Sequence, residues 1–222
     1  MSPPLQFYTL PNLITACRIV LIPVTVYAVY IGVEQQQLNW LIVALVCLIL
    51  GEVTDFADGF FARRTGAVSN VGKLLDPMSD SLFRMCVFLS FLTMGWIDLW
   101  MTCLIFARDI TVAYLRVFAA LQQMVLAARQ SGKIKAIAQA VCQIGIVLLA
   151  CIHLSGLDVA WLGFDLSKVI QVENAKDGLS NNVLRSGGFS ELAWWFSLMA
   201  TLITTWSGID YTVSVVRTAN EK

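Results

Sequence analysis

The chain has 222 residues, 58% of them hydrophobic and only 14% charged, and its 15 basic side chains match its 15 acidic ones. Zero net charge argues against an electrostatic grip on nucleic acid, and so apolar a composition, with positive mean hydropathy, fits a bilayer better than water. An integral membrane protein is the expectation.

Residues 1–10 read as a short interfacial segment carrying Phe7 and Tyr8, after which Pro11 opens the first helix with its backbone angle already set. No Lys or Arg precedes the first apolar run, so that run reads as a retained helix and not a cleaved leader. Apolar runs at 14–31, 40–51, 82–97, 100–120, 134–154 and 192–216 approach the roughly 20 residues that cross a hydrocarbon core. With their polar flanks they predict an all-α, polytopic fold of six transmembrane helices, one domain over 1–222.

Charge placement sets the expected orientation. Arg63, Arg64 and Lys73, then Arg129, Lys133 and Lys135, and finally Arg217 and Lys222 fall on one side, whereas Glu34 and Asp98 lie in opposite-side connections without Lys or Arg. The positive-inside rule therefore puts both termini in the cytosol. The fifth connection, 155–190, is long and rich in Gly, Asn and Ser over 172–188, as expected of a noncatalytic extracytoplasmic loop; Trp194, Trp195 and Phe196 then mark re-entry into the membrane. Six cysteines lie inside apolar runs without metal-ligand spacing and read as small hydrophobes, and the lone His153 reads as a packed or interfacial side chain.

Ionisable residues within membrane helices each cost several kcal/mol unless paired, hydrated or metal-bound. Arg18, Glu52, Asp55, Asp58, Asp76, Asp80, Arg84, Arg116 and Asp210 all fall in the cytosolic half of the expected topology, with Arg108 and Asp109 nearer mid-membrane. Their convergence predicts a polar cavity open to the cytosol and walled by lipid-facing helices. A cation pathway would also use membrane carboxylates, but would spread them through the depth of the bilayer.

Asp55 and Asp58 are three apart, Asp76 and Asp80 four apart, and either spacing sets two carboxylates on one helix face. Four acids meeting from two helices repel unless divalent cations lie between them, and hard oxygen donors suit Mg²⁺ or Mn²⁺. Gly59 and Ala62 leave the adjoining surface bare, and Arg63 supplies a cation suited to phosphate, which together describe a site for a pyrophosphate. The plainer alternative is a set of internal salt bridges to Arg18, Arg63 and Arg84.

Asp55, Asp58, Gly59, Ala62, Arg63, Gly72, Asp76 and Asp80 reproduce D-x2-D-G-x2-A-R-x8-G-x3-D-x3-D at every fixed position. In this the chain resembles the CDP-alcohol phosphatidyltransferases. The resemblance implies a six-helix membrane enzyme, usually a homodimer, that moves a phosphatidyl group from CDP-diacylglycerol to an alcohol and releases CMP. It further implies two divalent metals held by Asp55, Asp58, Asp76 and Asp80, with Asp80 as general base. Asp55, Gly59, Ala62, Arg63 and Gly72 would contact the CDP moiety.

Three stretches bear on the acceptor. "LPNLITACRIVLIPV" at 10–24, "ARDITVAYLR" at 107–116 and "SGKIKAIAQ" at 131–139 resemble the phosphatidylglycerophosphate synthases of bacteria, which implies glycerol 3-phosphate as acceptor and the cytoplasmic membrane as location. On that reading Arg108, Arg116, Lys133 and Lys135 supply cations for the acceptor phosphate. Lys133 and Lys135 could equally be membrane anchors, and Arg108 could pair with Asp109 or Asp210. Synthases of this type commonly carry lysine after the fourth aspartate, where this chain has Ser81; Arg84, one turn on, is the candidate replacement, and inositol phosphate is the rival acceptor.

Overall fold

In the computed structural model the described residues are 10–65, 72–122, 130–155, 184 and 188–220, with side chains described over 16–54, 77–119, 121–122, 130–155, 184 and 189–218. The expected interfacial segment before residue 10 and most of the 155–190 connection lie outside them. Every described element is a helix: α1 (Leu10–Glu34), α2 (Leu38–Thr65), α3 (Gly72–Met94), α4 (Leu99–Leu121), α5 (Gln130–Ser155) and α6 (Gly188–Asn220). Each overlaps one apolar run, and all but α3 extend past it at both ends. Polar residues end the apolar run, not the helix, so α2 continues from its apolar half through the aspartate-rich segment to Thr65.

Two interhelical turns follow the same backbone logic. After α1, Gln37 N–H bonds Gly32 O at 3.0 Å and Gln36 N–H bonds Val33 O at 3.3 Å, with Gln36 at φ 50°. After α3, Trp96 N–H bonds Phe91 O at 3.0 Å and Gly95 N–H bonds Leu92 O at 3.2 Å, with Gly95 at φ 77°. Both are Schellman caps, which satisfy the last carbonyls and reverse the chain through one left-handed residue. Glycine takes that conformation without strain at 95; at 36 a glutamine does so.

The described residues divide into two compact units, one within Met1–Ser90 and Val147–Phe164, the other within Phe91–Ile146 and Asp165–Lys222. In the first, α1 packs along α2, and Gly51 brings α2 close to α3, since a Cβ there would stand 2.9 Å from the Phe83 ring. In the second, α4 packs on α6 around Val112, Leu115, Tyr211 and Val215.

Among the described residues three helices are long and apolar enough to cross a membrane by length and composition: Ala16–Glu34, Gln130–Ser155 and Phe189–Thr218. Within the described side chains α2 contributes a shorter apolar stretch, Leu38–Thr54, while Asp80 and Arg84 interrupt α3 and Arg108, Asp109 and Arg116 interrupt α4. Large apolar side chains face outward on several helices, with Tyr114 73%, Ile137 63% and Ile209 63% exposed, the reverse of a water-facing surface.

In the second unit, Trp96 is fully buried between the rings of Phe91 and Phe189 and donates its indole N–H to Leu184 O at 2.7 Å. Asp98 accepts from the indoles of Trp100 (3.0 Å) and Trp194 (2.8 Å) through one oxygen. The expected aromatic re-entry is thus the first turns of α6, where Trp194 and Trp195 also meet edge to face.

Candidate active site

The helices put both aspartate pairs on regular backbone. Positions 55, 58, 59, 62 and 63 fall on the C-terminal half of α2, and 72, 76 and 80 on the opening turns of α3. The side chains of Asp55, Asp58, Ala62, Arg63 and Asp76 lie outside the described residues, as do the surroundings of Gly59 and Gly72. Among the described residues no three His, Cys, Asp or Glu side chains form a metal-binding group.

Asp80 is described, and its neighbour is the arginine one helical turn on. Arg84 Nη1 donates to Asp80 Oδ2 at 2.8 Å, while Nε and Nη2 donate to Glu52 Oε1 and Oε2, both at 3.3 Å. The guanidinium is buried at 4% side-chain exposure, whereas Asp80 (24%) and Glu52 (26%) remain partly open. Planar, five-donor arginine can hold two carboxylates at once, which lysine cannot do in this geometry. The salt-bridge alternative therefore holds for Asp80 with Arg84. Arg18, 1% exposed, donates to Thr54 Oγ1 at 3.4 Å in the same unit.

A second polar cluster forms in the other unit. Lys135 Nζ lies 2.9 Å from each oxygen of Asp109, and Arg108 Nη1 donates to Asp109 Oδ1 at 3.0 Å. Arg108 Nη2 reaches α6, donating to Ser207 Oγ at 2.8 Å. Ser131 Oγ donates to Asp210 Oδ2 at 2.7 Å, and Gln139 Nε2 to Thr204 Oγ1 at 3.2 Å. Ser131, Lys135 and Gln139 recur every four residues, and Thr204, Ser207 and Asp210 every three, so each trio forms one stripe along its helix. Two bonds, Ser131 to Asp210 and Gln139 to Thr204, cross from α5 to α6 and help hold the two apolar helices together, while Lys135 bonds Asp109 of α4.

The predicted acceptor cations are therefore only partly gathered. Arg108 and Lys135 share Asp109. Arg116, two turns beyond Arg108, lies with its guanidinium 5.8 Å from the centroid of the Tyr211 ring, and Lys133 is exposed. Glu52, Ser207 and Gly208 were invisible as partners in the sequence. Glu52 lacks a motif tying it to Arg84, and a Ser-Gly pair in an apolar helix gives no sign of the arginine it meets.

A family model for CDP-alcohol phosphatidyltransferase matches residues 8–171. Over 222 aligned residues the chain is 27% identical to the CDP-diacylglycerol--glycerol-3-phosphate 3-phosphatidyltransferase of Bacillus subtilis (strain 168), covering 96% of this chain and 100% of the relative. A Rickettsia felis protein of the same name is 36% identical over 130 residues, 59% of this chain and 70% of that one. A Mycobacterium tuberculosis protein named probable phosphatidylglycerophosphate synthase is 31% identical over 144 residues, 63% and 66% of the two chains. The family match spans both aspartate pairs and both basic stretches, which sets the transporter alternative aside: the chain belongs to the CDP-alcohol phosphatidyltransferases and is an enzyme of that class.

Proposed function

We propose that the chain transfers the phosphatidyl group of CDP-diacylglycerol to glycerol 3-phosphate, forming phosphatidylglycerophosphate and CMP. The observation that carries the acceptor is the buried pair Arg108 and Lys135, two cations on the single carboxylate of Asp109. Arg108 Nε, buried and without a hydrogen-bond partner among the described residues, is a donor that an anionic oxygen would satisfy. The names of the relatives agree with that acceptor. Arg116, Lys133 and Arg84 complete the proposed cation set, and inositol phosphate remains the rival because it needs the same charge.

Four aspartates in two helical pairs are an all-oxygen donor set, which fits Mg²⁺ or Mn²⁺. Asp55, Asp58, Asp76 and Asp80 would hold two such ions, which supply charge neutralisation on the pyrophosphate and the departing CMP. Asp55, Gly59, Ala62, Arg63 and Gly72 would hold the cytidine diphosphate. Asp80 would take the proton of the acceptor hydroxyl as that oxygen attacks the β-phosphorus. Arg84 orients the Asp80 carboxylate, and Glu52 holds Arg84 in place.

Six membrane spans in one domain over 1–222, a cavity open to the cytosol, both termini on that side and a homodimer in the cytoplasmic membrane complete the reading. The charges carried by α2, α3 and α4 support it, because each would be costly in lipid unless hydrated or paired. The test is CMP release by purified protein in detergent with CDP-diacylglycerol and Mg²⁺, comparing glycerol 3-phosphate with inositol phosphate, inositol and serine. Release confined to glycerol 3-phosphate supports the proposal; release with another acceptor retains the family chemistry and overturns the substrate.

A further inference from the structure

Arg108 lies over a position where no side chain fits. A Cβ on Gly208 would stand 2.7 Å from Arg108 Cγ, 3.5 Å from its Cβ and 3.9 Å from its Cδ. The close atom is near the root of the arginine, so a rotation at the tip cannot relieve the overlap. The preceding residue, Ser207, is fully buried and accepts from Nη2 at 2.8 Å, while Asp109 accepts from Nη1 at 3.0 Å. The stem is thus set by Gly208 and two corners of the guanidinium by Ser207 and Asp109. Arg108 Nε is buried and has no hydrogen-bond partner among the described residues. An unmet donor on a buried cation is costly, and an anionic oxygen would satisfy it.

From this we infer that Ser207 and Gly208 of α6 are positioning residues for acceptor binding, a seat that aims Arg108 at the phosphate of glycerol 3-phosphate. The inference rests on the proposed role of Arg108. A methyl at 208 forces Arg108 into another rotamer or lifts α6 from α4, and either displaces the cation from its ligand. Loss of the Ser207 hydroxyl frees one corner of the guanidinium without adding an atom.

The experiment is steady-state kinetics of the full-length enzyme in detergent with Mg²⁺, varying each substrate, for Gly208→Ala, Ser207→Ala and Arg108→Gln. Ile209→Ala, on the outward-facing side of α6, is the control. Gly208→Ala is expected to raise KM for glycerol 3-phosphate about tenfold and Ser207→Ala about threefold, with kcat and KM for CDP-diacylglycerol little changed. Arg108→Gln is expected to have an effect at least as large as Gly208→Ala. If Arg108→Gln raises that KM and neither α6 variant does, the seat is overturned while the acceptor role stands. If Arg108→Gln leaves it unchanged, the acceptor role itself fails and the seat with it. A fall in thermal stability and in use of both substrates alike for Gly208→Ala would mark a purely structural glycine and overturn its assignment. Should that variant not fold, Ser207→Ala decides, and an unchanged KM there overturns the proposal.

Discussion

The two polar clusters are inversions of each other. In the first unit one arginine, Arg84, is held between two carboxylates, Glu52 and Asp80; in the second one carboxylate, Asp109, is held between two cations, Arg108 and Lys135. Both central groups are buried at 4% side-chain exposure, so each depends on its bonded partners rather than on water. The bonded partners are acid-rich around Arg84 and base-rich around Asp109, which places opposite demands on substitutions in the two units.

Removing divalent metal should have the largest effect. Chelation is expected to abolish CMP release, a loss of at least about a thousandfold, with recovery on adding Mg²⁺ or Mn²⁺; activity that survives exhaustive chelation would contradict the role given to the acid-rich side. Asp80→Asn should lower kcat by about a thousandfold with folding retained, as judged by circular dichroism and elution in detergent. Normal turnover would remove Asp80 as the base.

On the base-rich side, Asp109→Asn withdraws the carboxylate that both cations bond. It should destabilise the protein by about 3 kcal/mol in thermal unfolding, because breaking a buried pair leaves charge uncompensated. Arg84→Gln should cost less, about 2 kcal/mol, since Glu52 and Asp80 are partly solvated. The kinetics of Arg84→Gln separate its two proposed roles: a lower kcat at constant KM means it orients Asp80, whereas a raised KM for glycerol 3-phosphate means it binds the acceptor. Trp96→Phe, distant in kind from both clusters, should lose about 1 kcal/mol of stability with its bond to Leu184 O and leave kinetics unchanged.

Much of the fold was legible because each apolar run overlaps one helix. The ends were not. Asp55 and Asp58 were read onto one helix face beyond the run at 40–51, but that run did not mark where α2 stops, at Thr65, because a helix is held by its own backbone bonds and needs no apolar side chains to continue. The aspartate motif was legible for the opposite reason, since its chemistry is written in fixed spacing on two helices. The pairs Arg108 with Asp109 and Arg84 with Asp80 were among the salt-bridge alternatives in the sequence, but the share of Lys135 in Asp109 and the bonds of Arg84 to Glu52 were not. Residues that are 26 or 32 apart in sequence leave no periodic trace of their pairing.

Composition, apolar periodicity and motif spacing by themselves determined an all-helical chain suited to a bilayer, its family, and the aspartates on which its chemistry is proposed to turn, because these are local properties of the chain. Only tertiary structure decided which charges share a partner, which arginine is enclosed by acids and which lies over a glycine. Those depend on helix packing distances and on the burial that packing creates, and a difference as small as the Cβ missing from Gly208 decides whether the Arg108 stem fits against α6.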